Sequence, residues 1–212
     1  DDSVGGKRLS MRTVMTGGAT YTSNEVIACK TFTDYLATNG DPREDMLFTK
    51  VSGAFRGAFF GDFDSKADSD SNGTADDKET YSRVVFAPDM DLVLMSTWEV
   101  NFYIAEVYAR AGDQLNAKLY YDAGVDESLE QHGITGNTIT SAGGYAEWVN
   151  TGNVEQNIKQ ISMQRWVAHA NYQHIESFFE RNRTKYPSVN EIDIKADRKY
   201  AFNNFPVGEL TI

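Results

Sequence analysis

Two blocks of helical sequence constrain the fold of this 212-residue chain more than any other feature. In the first, residues 92–133, apolar side chains occupy nearly every face of a helix from Trp98 to Ala111. A helix that is apolar all round is predicted to be largely buried. Gly112 is suited to end this helix, and Asp113 is suited to begin the next as its N-cap. The block is therefore predicted to be a tight helical hairpin.

The second helix of this hairpin carries small residues around one aromatic side chain. The residues at helical spacing are Ala117, Tyr121, Gly124, Val125 and Ser128. A glycine inside a helix costs about 1 kcal/mol relative to alanine, so we expect a close helix–helix contact at Gly124. The spacing of Ile104, Ala105 and Tyr108 before these residues is also typical of a tetratricopeptide unit. One such unit cannot bury its own apolar face, so other repeats or another part of the protein are expected to stack on it.

The second block is predicted to hold helices over residues 153–170 and 173–183, ended by Tyr186-Pro187, because the residue before proline avoids the helical region. Glu180, Arg181 and Arg183 are expected to form ion pairs at the helix end. A further helix is predicted over residues 23–36, with Cys29 as a buried thiol inside it. Large aromatic side chains in the helical stripes are expected in the core: Trp98, Phe102, Trp166 and Phe178.

Charge excludes some classes of partner. The chain has 31 acidic and 20 basic residues, a net charge of −11 and a pI near 4.7. These values argue against binding to nucleic acid, which needs clustered Lys and Arg, and against docking onto anionic lipid. A neutral ligand such as a sugar, or a cation, is compatible. With so many carboxylates, a pair at glycosidase separation is expected by chance and does not indicate a hydrolase.

Residues 68–79 match a twelve-residue calcium loop. The predicted ligands are Asp68, Asp70, Asn72, Thr74 through its carbonyl, Asp76 and Glu79, with Gly73 at the sharp turn. Alternating residues aim hard oxygen ligands at one centre, so the loop is predicted to bind a structural Ca²⁺. Ala75 departs from the usual larger apolar residue at position eight. The alternative interpretation is a solvated acidic surface loop.

Aromatic residues outside the helices are the candidates for ligand contacts. Sugar rings stack on exposed aromatic planes while polar side chains bind the hydroxyls. Tyr145 and Trp148 lie in a loop rich in Gly, Thr and Asn and are predicted to be exposed and to bind ligand. Phe55, Arg56 and Tyr81, with Phe59, form a second predicted ligand-binding group.

Several motifs in order resemble the SusD/RagB family, surface glycan-binding lipoproteins of Bacteroidetes-type bacteria. They are Asp41-Pro42-Arg43, the hairpin just described, Gln164-Arg165-Trp166, Arg181-Asn182-Arg183-Thr184-Lys185-Tyr186-Pro187, and Phe205-Pro206-Val207-Gly208. Asn182 splits the arginine pair that the family usually has, and Gly208 stands where arginine is common. The resemblance covers roughly residues 21–206.

This resemblance implies an all-α fold of tetratricopeptide-like helical hairpins with long irregular loops, a SusD-like α-α superhelix. It implies that residues 1–212 are the C-terminal portion of a single, truncated SusD-like domain, whose N-terminal half with its signal and lipid anchor is absent. The implied function is non-catalytic capture of an oligo- or polysaccharide at the outer-membrane surface, for delivery to a TonB-dependent SusC-type transporter. The alternatives are a tetratricopeptide-type protein-interaction scaffold and a glycoside hydrolase.

Overall fold

A computed structural model describes residues 27–58, 81–85, 93–136 and 138–188. The chain divides into two compact units, residues 1–91 with 192–212 and residues 92–191. Within the described residues the regular secondary structure is six α-helices, and extended segments pair only through isolated β-bridges. The predicted all-α fold class is confirmed.

The first unit contains helices α1, Lys30–Asn39, and α2, Glu44–Leu47. Gly40 ends α1 in the left-handed conformation at φ 60°, which glycine adopts without steric cost. The predicted helix over residues 23–36 is wrong at residues 27–29, which are extended. Cys29 therefore lies at the N-cap of α1 and is half-buried, so the expected buried position inside a helix is also wrong.

Pairing with distant segments explains why residues 27–29 are extended. The amide of Ala28 donates to the carbonyl of Ser82 at 2.8 Å, and the amide of Lys30 donates to the carbonyl of Ala58 at 2.7 Å. A side chain at Gly57 would place its Cβ 2.4 Å from the backbone of Lys30, so only glycine allows this approach. Long-range backbone pairing therefore overrides the local helical pattern.

The second unit begins with the predicted hairpin. Helix α3 is Thr97–Ala111 and helix α4 is Gln114–Glu130. Gly112 ends α3 at φ 82°, and the Asp113 side chain accepts a hydrogen bond from the amide of Asn116 as the α4 cap. Both boundary predictions are confirmed.

The core of the second unit lies between these helices and the next one. Its buried members are Trp98, Phe102, Ala105, Ala109, Ala117, Tyr121, Val125, Leu129, Trp148, Ile161 and Ala168. A Cβ on Gly124 would lie 3.0 Å from two ring carbons of Phe102. The close contact expected at Gly124 is confirmed, since glycine there lets an aromatic ring pack against the helix backbone.

Helices α5, Val154–His169, and α6, His174–Thr184, complete the second unit. Asn153 caps α5 by accepting a hydrogen bond from the amide of Glu155. In α6 the one buried residue is Thr184. Phe178 is 61% exposed, so the prediction that it lies in the core is wrong, and Trp166 is half-buried.

Candidate functional site

Four charged residues join α3, α5 and α6, and we call them the charge network: Glu106, Arg165, Glu180 and Arg183. Arg183 Nη1 donates to Glu106 Oε1 at 2.6 Å, and Arg183 Nη2 donates to Glu180 Oε2 at 2.7 Å. Arg165 also donates to Glu180 and lies 3.5 Å from Glu106. Glu106 and Arg165 are the buried members of the network, while Arg183 is partly exposed.

Arg165 of the charge network also contacts an aromatic ring. The guanidinium carbon of Arg165 lies 4.3 Å from the centre of the Tyr103 ring, a cation–π contact. Burial lowers the pKa of Arg165, and the charges of Glu180 and Glu106 oppose that effect. The predicted ion pairing is confirmed for Glu180 and Arg183, while the described residues give Arg181 no ion pair. Arg165 and Arg183 therefore link helices α3, α5 and α6 through ion pairs.

The loop between α4 and α5 carries the first predicted ligand group. Trp148 is only 7% exposed and packs against Tyr121, with ring centres 5.1 Å apart. The expectation that Trp148 is exposed is therefore wrong, because the loop folds this ring into the core. Tyr145 is half-buried and keeps part of its surface open.

Hydrogen bonds from α5 and α4 fix the backbone of this loop. Gln160 Nε2 donates to the carbonyl of Glu147 at 3.1 Å, and Asn157 Nδ2 donates to the carbonyl of Val149 at 3.1 Å. The Tyr121 hydroxyl donates to the carbonyl of Ala146 at 2.9 Å. Helical side chains thus hold Tyr145 on a preorganised segment, which lowers the entropic cost of binding a ligand.

The second predicted group lies in the first unit, and the backbone brings three of its members close. Ser82 donates its amide to the carbonyl of Arg56 at 2.7 Å and accepts the Arg56 amide on its hydroxyl at 2.9 Å. Arg56 is exposed and Phe55 half-buried, with Lys50 Nζ 4.9 Å from the Phe55 ring centre. Tyr81 is 3% exposed, so it cannot offer an open face for stacking.

The predicted calcium ligands Asp68, Asp70, Asn72, Thr74, Asp76 and Glu79 lie outside the described residues, as does Phe59. Within the ranges that the structure describes, no group of three or more His, Cys, Asp or Glu side chains is placed to hold a metal ion. None of the described helices has the length and apolar character needed to cross a membrane.

Sequence reasoning missed a shallow cleft at the end of α4. Its volume is about 190 Å³, and its lining residues are Asp126, Leu129, Glu130, Ile134, Thr135 and Gly136. Burial raises the pKa of Asp126, and the charges of Asp122 and Glu130 raise it further. No motif signals this cleft, because it forms where the chain turns back after the helix.

These features define a class of protein: a helical-hairpin scaffold whose connecting loops carry the candidate ligand contacts. The SusD-like_2 family model, described as "Starch-binding associating with outer membrane", matches residues 11–205, and this chain belongs to that family. No curated protein matches the chain. This family is thus associated with starch binding and with the outer membrane.

Proposed function

We propose that this chain is a non-catalytic glycan-binding protein at the outer-membrane surface, which captures an oligo- or polysaccharide and delivers it to a TonB-dependent SusC-type transporter. The family match over residues 11–205 is the observation that carries this proposal. Binding would come from shape and aromatic stacking, with no covalent step. The transporter is the expected partner through the family resemblance.

The distribution of side chains supports loops as the binding surface. The charge network holds Arg165 and Arg183 in ion pairs with Glu106 and Glu180. Tyr145 in the second unit, and Phe55 with Arg56 in the first, retain exposed surface on irregular segments. We assign direct glycan contact to these three residues. Trp148 and Tyr81 are buried, so their role would be to support the segments that carry the glycan-contacting residues.

Affinity electrophoresis of the full-length protein in gels containing different polysaccharides tests this function. Tyr145→Ala and Phe55→Ala should reduce retention, each by several-fold, while Phe179→Ala is the matched control, since Phe179 is an exposed aromatic outside the proposed contacts. Retention by no polysaccharide of the panel would contradict the proposal. Release of reducing sugar would favour a glycoside hydrolase instead.

A tetratricopeptide-type protein-interaction scaffold is the second candidate function. The observation that favours it is the exposed apolar surface of the hairpin at Val107, Leu115 and Leu119. Helical repeats bind peptides or proteins along such surfaces. Peptide binding without any polysaccharide retention would favour this candidate, and Leu115→Ser should then weaken it.

We also propose that residues 68–79 bind a structural Ca²⁺. The support is the match of Asp68, Asp70, Asn72 and Glu79 to the liganding positions of a calcium loop. Isothermal titration calorimetry should show binding that Asp70→Ala and Glu79→Ala each abolish, with Asp91→Ala as an acidic control outside the loop. An absence of heat on titrating the unmodified chain would overturn this assignment.

A further inference from the structure

Glu44 is a buried carboxyl group with an incomplete set of hydrogen bonds. It begins α2 directly after Asp41-Pro42-Arg43 and is only 7% exposed. Among the described residues, no group hydrogen-bonds to its Oε1. A buried carboxylate normally pairs with a cation or with several hydrogen-bond donors, because burying an unpaired charge is costly.

The two cations closest to Glu44 in the sequence, Arg43 and Lys50, are engaged by other carboxylates. Arg43 donates through Nε to Asp41 Oδ1 at 3.0 Å and through Nη2 to Asp41 Oδ2 at 2.6 Å, and both side chains are fully buried. Lys50 forms an ion pair with Asp45. Within the described part of the first unit, Glu44 therefore forms no ion pair.

The charges that act on Glu44 come from each neighbouring segment. Burial raises the pKa of Glu44 most, and Asp45 of the same helix and Asp41 of the preceding turn raise it further. Lys50, on the segment after α2, lowers the pKa, and Asp34 of α1 raises it. The resulting pKa is about 7, compared with 4.5 for an ordinary glutamate. The Glu44 carboxyl therefore changes its charge near neutral pH.

We propose that Glu44 is a proton-operated switch in the first unit: it is buried as the neutral acid, and on ionisation it draws Lys50 toward itself. Lys50 Nζ also lies 4.9 Å from the centre of the Phe55 ring. Ionised Glu44 would compete with Asp45 and Phe55 for this ammonium group and uncover the Phe55 ring. The switch itself needs no ligand, whereas its effect on glycan binding at Phe55 rests on the proposed function.

Carbon-13 NMR of the Glu44 carboxyl in the full chain tests the switch directly. The chemical shift should titrate with a midpoint near pH 7. Lys50→Met should raise this midpoint, because Lys50 favours the ionised form. Lys118→Met is the control, since Lys118 also pairs with a carboxylate but lies in the second unit. A midpoint at the ordinary glutamate value, or one that Lys50→Met leaves unchanged, would overturn the proposal.

The pH dependence of unfolding gives an independent readout. Glu44→Gln mimics the neutral acid, so the folded-to-unfolded ratio of the wild type should fall relative to this variant as pH rises from 5 to 7. The expected fall is about tenfold per pH unit within this window, since one proton is released on unfolding. Glu155→Gln, at an exposed carboxylate of the second unit, should keep the wild-type pH dependence. Parallel curves for the wild type and Glu44→Gln would contradict the switch.

Polysaccharide retention at pH 6 and pH 8 separates the switch from the proposed function. If retention of the wild type changes between these pH values and Glu44→Gln abolishes the change, the result supports both the switch and the glycan-binding function. Retention that is equal at both pH values would overturn the link to Phe55. If the wild type is retained by no polysaccharide but the Glu44 carboxyl still titrates near pH 7, the glycan-binding function is overturned and the switch stands.

Discussion

Arg183 on α6 donates from Nη1 to Glu106 Oε1 on α3 at 2.6 Å, across 77 positions in the sequence. Glu106 is buried, and Arg110 also donates to it at 2.9 Å. The apolar side chains Ile175, Phe178 and Phe179 of α6 are exposed, whereas Arg183 and Glu180 pair with residues of α3 and α5. Ion pairs therefore hold α6 against its neighbouring helices, whereas apolar packing holds the two helices of the hairpin together.

Glu106→Gln should destabilise the second unit by roughly 2 kcal/mol, because it leaves the buried Arg165 without this carboxylate, whereas the partly exposed Arg183 and Arg110 can be solvated. Urea unfolding followed by tryptophan fluorescence measures this loss. The control is Lys118→Ala, which removes an exposed pair with Asp122 and should cost less than about 0.5 kcal/mol. Equal losses for the two variants would contradict the central role of Glu106.

The Glu106 carboxyl should also make the stability of the second unit sensitive to acid. Burial alone would raise the pKa of Glu106, but hydrogen bonds from Arg183 and Arg110 outweigh it and lower the pKa to about 2. A folded-state pKa below the ordinary 4.5 means that this stabilisation is present above pH 4.5 and is lost as pH falls toward 2. Glu106→Gln should therefore flatten the decline in stability over that range.

Much of the helical architecture could be predicted from local sequence. Gly112, Asp113 and Asn153 each act within one turn of a helix, so the residue type alone indicates the boundary. The contact at Gly124 was also predictable, since a glycine in mid-helix needs compensation. The family resemblance likewise rested on short motifs that survive in order along the chain.

The errors arose where distant residues decide the outcome. Periodicity showed that Phe178 lies on an apolar stripe of α6, but it could not show that ion pairs attach the other side of the helix. Composition indicated that Trp148 lies in an exposed polar loop, but the ring packs against Tyr121 in the core. Cys29 fell in a helical pattern that pairing with residues 58 and 82 replaced by extended backbone.

Gly124→Ala should destabilise the second unit by about 1 kcal/mol. Alanine gains about 1 kcal/mol in helix propensity, but its Cβ would press on the fully buried Phe102 ring, and overpacking costs 1–3 kcal/mol. Phe102→Leu should make room, so Gly124→Ala should be neutral or stabilising in that background. A double-mutant cycle by thermal unfolding measures this coupling. Additive effects would contradict a direct contact.

Trp148→Ala should cost about 3–5 kcal/mol, as for other large aromatic side chains removed from a core. Phe178→Ala, at an aromatic of similar character that is exposed, should change stability by no more than about 0.5 kcal/mol. Denaturant titration of both variants makes the comparison. A small effect at Trp148 would mean that the loop does not pack as described, and would restore this ring as a direct ligand contact.

His169 predicts a second acid-sensitive contribution, in a different pH range. The imidazole is buried beside Trp98, and among the described residues neither ring nitrogen has a hydrogen-bond partner, with Glu99 Oε1 3.8 Å from Nε2. Burial, then the charges of Arg165 and His174, lowers the pKa of His169 to about 3. The folded state thus keeps this ring neutral, while the unfolded chain takes up a proton below about pH 6.5.

Stability from His169 should therefore be complete above pH 6.5 and should decline as pH falls toward 3. His169→Phe keeps an aromatic ring of similar size without a titrating group, so it should lose less stability than the wild type between pH 7.5 and pH 5.5. His174→Gln, at an exposed histidine, should follow the wild type. The measurement is the urea midpoint of each variant at both pH values. If His169→Phe loses as much stability as the wild type between pH 7.5 and pH 5.5, the buried imidazole does not cause the decline.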